Sequence, residues 1–409
     1  MTGGHRAVGE RGDEVGSAGW ALGLATRWRA ELQHELDAAT VLRHRLHADP
    51  RVSGDESDTC ELVVRALGAG TASPMAGTGA RVEFSGSPAA LGAQPAVALR
   101  TELDALPIAE RSGVGWASQC DVMHACGHDL HMAALVAVCR SAARVVLPAP
   151  LVALLQPREE GADSGARDAI TEGALTGIGE VVAAHVQPQL EAGVVGVAGG
   201  TVNAGTTDFE VEVQGQGGHS GYPHTVTDSV LALSSVVVAL QQISARRIDP
   251  VRGSACMVNQ LRAGSANNVV PTIAAASGTV RAMSGADQQR AQAAIVEIAH
   301  HVAASHGCHA TVTFDDGDPP LVNDPALASG ASAILAGLGR STSGEFRSFG
   351  SDDFAHYCGH VRGLMIFVGT GDRSGGLHDP TYVPGDCYLA VLADAMIAGY
   401  CAAVAARQV

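Results

Sequence analysis

The sequence predicts an α/β protein: a mostly parallel-sheet domain with helices on both faces, carrying an inserted α+β domain of βαββαβ order. Three observations predict it. First, short apolar runs of buried-strand type at 96–100, 151–155 and 180–185 alternate with segments of helical periodicity, the pattern of parallel strands joined by crossover helices. Second, polar residues gather just past or at the ends of those runs, at Asp104, Glu159, Glu160 and His185. Ligand sites in parallel sheets lie beyond the carboxyl ends of the strands. Third, the pattern changes near 198–205 to half-exposed alternating strands and returns to α/β character after residue 316. A chain of 409 residues also exceeds what one core usually supports.

Taken in order, residues 1–19 are rich in glycine and charge and lack an apolar core, so they read as a disordered tail rather than an export signal. Apolar residues recur at helical spacing over 20–47 and predict one helix, stopped by Asp49-Pro50. A second helix is expected over 55–67, with Ser53 or Asp55 as cap and Gly68 at its end. Strands follow at 81–84 and 96–100. The segment 123–131 opens a helix running to about 145, and then come a strand at 151–155, a helix at 165–172 and a strand at 180–185. Residues 205–315 form the expected insert. Its elements are a strand at 208–214, a glycine-rich turn at 217–224, a helix at 228–246, strands at 255–262 and 274–282, a helix at 287–305 and a strand at 310–314. The first domain resumes over 316–409 with a helix at 326–338, a strand at 364–368 and a terminal helix at 388–406, so that it comprises 20–204 and 316–409.

Composition narrows the function classes. A hydrophobic share of 46% with 17% charged residues is globular. The formal charge, 26 − 42 = −16, argues against nucleic acid or an anionic membrane as partner, though not against a small substrate. No run of about eighteen uncharged apolar residues predicts a membrane span. The nine cysteines are scattered, odd in number and without a CxxC pair. They read as reduced thiols of a cytoplasmic protein. Cys126 stands apart because of its neighbours.

Residues 123–131 hold His124, Cys126, His128, Asp129 and His131, and imidazole and thiolate are ligands for borderline transition metals. The adjacent carboxylates Glu159 and Glu160 repel each other and remain ionised together only beside cations. A pair of metal ions would resolve this. One glutamate would ligate while its neighbour accepts a proton from water, whose pKa a metal lowers toward about 7. Singly, the glutamate pair reads as a solvated turn and His185 as a hydrogen-bonded strand-end histidine. Jointly with the cysteine cluster, and with His378 in a C-terminal loop, they point to a metal centre.

Several ordered motifs carry a family resemblance: 99–107 (Leu-Arg-Thr-Glu-Leu-Asp-Ala-Leu-Pro), the His-Ala-Cys-Gly-His-Asp loop, Gln-Pro-Arg-Glu-Glu-Gly at 156–161, Gly-Gly-His-Ser-Gly-Tyr-Pro-His at 217–224, Asn-Val-Val-Pro at 268–271, Gly-Ser-Asp-Asp-Phe at 350–354 and Leu-His-Asp-Pro at 377–380. From about residue 30 onward the chain resembles the amidohydrolase branch of the aminoacylase/carboxypeptidase G metallopeptidase family. That branch includes hippurate hydrolase, N-acyl-amino-acid amidohydrolases and auxin-conjugate hydrolases. The resemblance implies hydrolysis of the amide bond of an N-acyl amino acid at a site with two divalent ions, zinc or manganese, with cobalt as a further candidate. It implies Cys126, His128, Glu160, His185 and His378 as ligands, with Cys126 bridging. Glu159 would be the general base, Asp104 would orient a ligand histidine, and His219 would stabilise the oxyanion, acting in the partner subunit of a homodimer formed through the insert; 20–204 and 316–409 would then be the metal-binding catalytic domain and 205–315 a lid and dimerisation domain. Asn268, Arg281 and His224 would contact substrate. His124 and His131 are expected to support the site, and Asp352-Asp353 to fix a loop. Arg158, Met132 and Glu102 depart from the branch pattern and bear on substrate preference. The rival readings are a dipeptidase or carboxypeptidase-type metallopeptidase, a non-catalytic binding protein on the same fold, and a single structural zinc site.

Overall fold

The computed structural model describes residues 13–84, 94–161, 163–372 and 375–407. The expected tail lies outside the described residues over 1–12, but its remainder is helical, because the first helix spans Asp13–Leu32. A helix once nucleated extends into polar flanks at little cost. The single helix expected over 20–47 is two, Asp13–Leu32 and Leu36–Ala48. Two tight turns separate them, His34 N–H to Glu31 O at 3.2 Å and Glu35 N–H to Leu32 O at 2.9 Å. The cause is tertiary: Glu35 is buried and accepts from Arg140 Nε at 2.6 Å and Arg144 Nη2 at 2.7 Å. No proline or glycine announces that break. The next helix, Ser57–Leu67, ends on left-handed Gly68 as expected, but Glu56 rather than Ser53 or Asp55 stands at its N-cap.

The chain divides into two compact units. The first takes the described residues up to Gly200 with Val322–Phe346 and those from His356 onward. Its sheet has eight strands in the spatial order Thr71–Met75, Gly79–Phe84, Leu151–Gln156, Ala96–Glu102, Ile178–Gln187, Arg362–Gly369, Val194–Gly196, Ser341–Ser343. The central pairings are parallel, with Leu99 opposite both Ala153 and Val182, and antiparallel pairs occur toward both edges. Strands Ala96–Glu102 and Leu151–Gln156 are buried at every position, which is why they read as unbroken apolar runs. Helices Asp13–Leu32, His128–Ala142 and Tyr388–Ala405 pack together over the sheet, and Gly165–Thr171 packs on the strand Leu151–Gln156. Trp28 has no exposure, donates to Ser141 Oγ at 2.9 Å and meets Tyr400 edge-on at 5.1 Å.

Tyr388–Ala405 is long and apolar enough to cross a membrane by composition, a helix that the rule of uninterrupted apolar residues passed over because Asp394 interrupts it. In this fold it is a core helix, 83% buried, and Asp394 is paired with Arg340 Nη2 at 2.7 Å and Arg29 Nε at 3.2 Å.

The second unit comprises Thr201–Leu321 and Arg347–Ala355. Its main sheet is antiparallel in the order Ser254–Ala263, Ile273–Ala282, Gly205–Gln214, His309–Asp316. Helices Ser229–Leu240 and Gly285–Ser305 share one core with it, built on Phe209, Val211, Val213, Leu233, Val236, Ile295 and Ile298. The chain order is the expected βαββαβ. The helix expected to reach residue 246 ends at Leu240 and passes into a π-turn over Ile243–Arg247.

Candidate metal centre

Five pieces of the first unit deliver the chemistry, three of them at carboxyl ends of adjacent strands. The strand Ala96–Glu102 leads into Asp104, Leu151–Gln156 leads into Glu159 and Glu160, and Ile178–Gln187 carries His185 two residues before its end. The fourth is the start of His128–Ala142, where His128 is the first helical residue. Gly127 precedes it at φ 83, and a Cβ there would lie 2.7 Å from Val186 Cγ2. Glycine is required on both counts. His378 arrives from the C-terminal loop at φ 69, with its N–H bonded to Ala125 O at 3.0 Å. A histidine in that conformation is a strained residue held by its surroundings.

These residues converge. Cys126 Sγ lies 3.5 Å from His185 Nε2. His128 Nε2 lies 3.7 Å from Glu159 Oε2 and 4.0 Å from Glu160 Oε1. His378 Nε2 lies 3.2 Å from Glu160 Oε1. Ligand atoms fall within 4.8 Å of one another in the groups Cys126–His128–His185, Cys126–Glu160–His378 and His128–Glu159–Glu160. Cys126 belongs to two of them, as a bridging thiolate would. His128 Nε2 is buried without a hydrogen bond. Buried polar atoms rarely go unpartnered, and this nitrogen and the sulfur and carboxylates around it are lone-pair donors to a cation, so the residues present fit divalent ions.

The charges agree. Burial opposes the protonated form of His128, but Asp104, Glu102 and Glu160 outweigh it and hold its pKa up at about 10. Burial raises Cys126, with Glu160 and Glu159 adding to the effect. A site this acidic calls for positive charge, which a metal supplies while deprotonating the thiol. His185 is pushed down to about 4, chiefly by burial.

The supporting groups are richer than the sequence reading held. The main-chain carbonyl of Asp104 accepts His128 Nδ1–H at 2.9 Å, so that Nε2 is the nitrogen turned to the centre. Its carboxylate stands 3.6 Å from the same nitrogen, while Oδ2 accepts from Ser53 Oγ at 2.7 Å and from Glu160 N–H at 2.8 Å. His131 bonds through Nδ1 to Glu102 Oε2 at 3.1 Å and accepts Val186 N–H on Nε2 at 3.0 Å. The Val186 carbonyl in turn takes His185 Nδ1–H at 2.6 Å. His131 thus aligns His185 with both of its own nitrogens already bonded, and Glu102 is further paired with Arg100. Behind the loop, Asp129 accepts from Arg43 Nε and His47 Nδ1, both at 3.0 Å, and His47 Nε2 meets Glu110 at 3.2 Å. Sequence reasoning passed over Ser53, Glu56, Arg43 and His47. The last two had a signal, because they share the buried face of their helix with Ala39, Leu42 and Leu46.

His219, His224, Asn268 and Arg281 belong to the second unit. His219 pairs with Val269 in a two-residue ladder, and its Nδ1 accepts Gly221 N–H at 2.9 Å. Asn268 and His224 are exposed, and Arg281 Nη1 donates to Phe349 O at 2.6 Å.

Comparisons with known proteins agree with this geometry. The profile of peptidase family M20/M25/M40 matches residues 98–396. An N-acetyl-L-cysteine deacetylase of Bacillus subtilis is 32% identical over 354 residues, covering 83% of this chain and 82% of its own. An IAA-amino acid hydrolase ILR1-like protein of Arabidopsis thaliana is 32% identical over 367 residues, covering 85% and 80%. A solved Bacillus subtilis structure described as a dinuclear metal binding peptidase from the M20 family superposes with a TM-score of 0.79 at 27% identity, covering 91% of this chain and 99% of that one.

Proposed function

Because the chain is a member of peptidase family M20/M25/M40, we propose that it is a metal-dependent amidohydrolase that cleaves the amide bond of N-acyl amino acids at the Cys126–His128–Glu160–His185–His378 centre. One observation carries this reading. Glu159 sits 3.7 Å from a ligand histidine, beside a second glutamate that is itself in the ligand set. Two divalent ions held there would polarise the acyl carbonyl and acidify water. Glu159 accepts the proton of the attacking water in this reading and returns it to the departing amine. Asp104 fixes the peptide of Glu160 and the tautomer of His128. His219 serves the oxyanion and Asn268, Arg281 and His224 the substrate.

The Cys126 thiolate weights the metal toward zinc, with manganese and cobalt admitted by the mixed N and O donors. A homodimer through the second unit is supported by the exposed Met257 and Leu261 on the edge strand Ser254–Ala263 and by exposed Leu231 and Val238 on Ser229–Leu240. The nine free cysteines, six of them buried, favour residence in the reducing cytoplasm.

The test is Glu159→Gln assayed against a panel of N-acyl amino acids and dipeptides, with metal content measured in parallel. The variant should hold its metal and lose about 10²–10⁴ in kcat. Equal turnover by wild type and variant would overturn the reading, and a preference for dipeptides would redirect it to a peptidase.

A further inference from the structure

Glu56 has no solvent exposure and stands at the N-cap of Ser57–Leu67, yet its side chain makes no hydrogen bond to its own helix, where a capping acceptor ordinarily goes. Both oxygens face other segments. Oε1 accepts Gly54 N–H and Arg158 N–H, each at 2.9 Å, and Oε2 accepts the Thr78 hydroxyl at 2.6 Å. Among the described residues no cation pairs with it. The Arg158 guanidinium goes instead to Asp168 Oδ2 at 2.6 Å and Ala76 O at 3.3 Å. Three donors therefore compensate a buried carboxylate, and they come from three different loops.

Two of those loops lead to the centre. Arg158 immediately precedes Glu159 and holds φ 56, a costly backbone for a long side chain that persists only when its surroundings impose it. On the other side, Gly54 follows Ser53, whose hydroxyl donates to Asp104 Oδ2, the oxygen that also accepts Glu160 N–H. The glutamate pair is thus fastened at both ends, by Glu56 at the Pro157–Arg158 peptide and by Asp104 at the N–H of Glu160. Ser53 and Gly54 join the two fastenings.

We infer that Glu56 is a positioning residue for the hydrolysis: it sets the Arg158 peptide, and through it the approach of Glu159, without touching substrate or ion. This rests on Glu159 as the general base. The role is one of hydrogen-bond reach rather than charge. Glutamine in its place satisfies the same groups, with its carbonyl on the two amides and its amide donating to a rotated Thr78 hydroxyl. Aspartate, one methylene shorter, cannot span Gly54, Arg158 and Thr78 together.

The experiment compares the full-length, zinc-loaded wild type with Glu56→Gln and Glu56→Asp. It measures kcat and KM on N-acetyl amino acids, metal per chain, and amide hydrogen exchange of a peptide covering 157–161. The aspartate variant should lose about tenfold or more in kcat, because a small misplacement of a catalytic group is costly, with faster exchange at 157–161 and full metal content. Its KM should stay within about threefold, and glutamine should restore kcat to within about threefold of wild type. Wild-type kcat in the aspartate variant, unchanged exchange, a kcat loss that merely follows metal loss, or a glutamine variant as impaired as aspartate would each overturn the inference. If the wild type hydrolyses none of the panel, the functional reading falls by itself, and the exchange comparison still decides whether Glu56 restrains the loop.

Discussion

At Cys126 two groups of ligand atoms meet on one sulfur. Alanine there should strip most of the metal, since the shared ligand goes from both groups at once. Aspartate, which offers two oxygens, should retain part of it. Metal content after gel filtration checks this, and full occupancy in the alanine variant would remove the bridging role. Of the proposed ligands and base, Cys126, His128, Glu159 and Glu160 stood out in the sequence as carboxylates in tandem and as thiol and imidazole two residues apart, while the full set with His185 and His378 rested on the family resemblance. Ser53 and Glu56 were not, because a serine and a glutamate near a helix start look like ordinary caps. Their work at Asp104 and Arg158 depends on loops about fifty and a hundred residues away. Glu102 was seen only as a departure from a pattern; its pairing with Arg100 and His131 gives the departure a physical sense.

At the scale of elements, the helices Leu36–Ala48 and His128–Ala142 are joined by a buried set of charges. Arg43 Nε and His47 Nδ1 both meet Asp129, and Arg43 also reaches Asp386 Oδ1 at 2.5 Å. Asp129→Ala leaves Arg43 buried with less compensation. It should cost about 3–5 kcal/mol, read as a lowered denaturation midpoint, and an unchanged midpoint would mean that the set contributes nothing. The same set makes stability depend on pH. Burial pulls His47 down, but Asp129 and Glu110 outweigh it and its folded pKa is raised. A raised histidine contributes stability that is fully present below its unfolded pKa of about 6.5 and is lost as pH rises through the folded value. Urea midpoints of the wild type should therefore fall on going upward from about pH 6.5, and His47→Gln should remove that part of the slope. Strand and helix identities were readable because burial on both faces leaves apolar runs and burial on one leaves periodicity. The break at 33–35 was not, because it is imposed by Arg140 and Arg144 more than a hundred residues on. Nor was the strand Thr71–Met75, whose exposed residues and Pro74 suit a sheet edge and give no apolar signal.

For the whole molecule, the metal centre lies in one unit and the second unit has a core of its own. Ligand binding stabilises the native state by mass action, about 4 kcal/mol at a thousandfold excess over Kd. Chelation should therefore lower the unfolding temperature of the first unit and leave the second unmoved. Calorimetry should show one transition shifting; two shifting together would mean that the units unfold as one. The sequence contains no lysine, so every basic side chain is an arginine that stays charged throughout, and pH responses near neutrality fall to histidines and thiols. The core of the first unit includes Tyr388–Ala405. Its place has a consequence for biosynthesis. A ribosome completes the second unit's sequence at Ala355, before this helix of the first unit is made, so the proposed ligands before Gly200 wait on translation for part of their core. A chain stopped at residue 387 should release a folded, protease-resistant second unit attached to a first unit that is digested, and limited proteolysis of the stalled product would show the order.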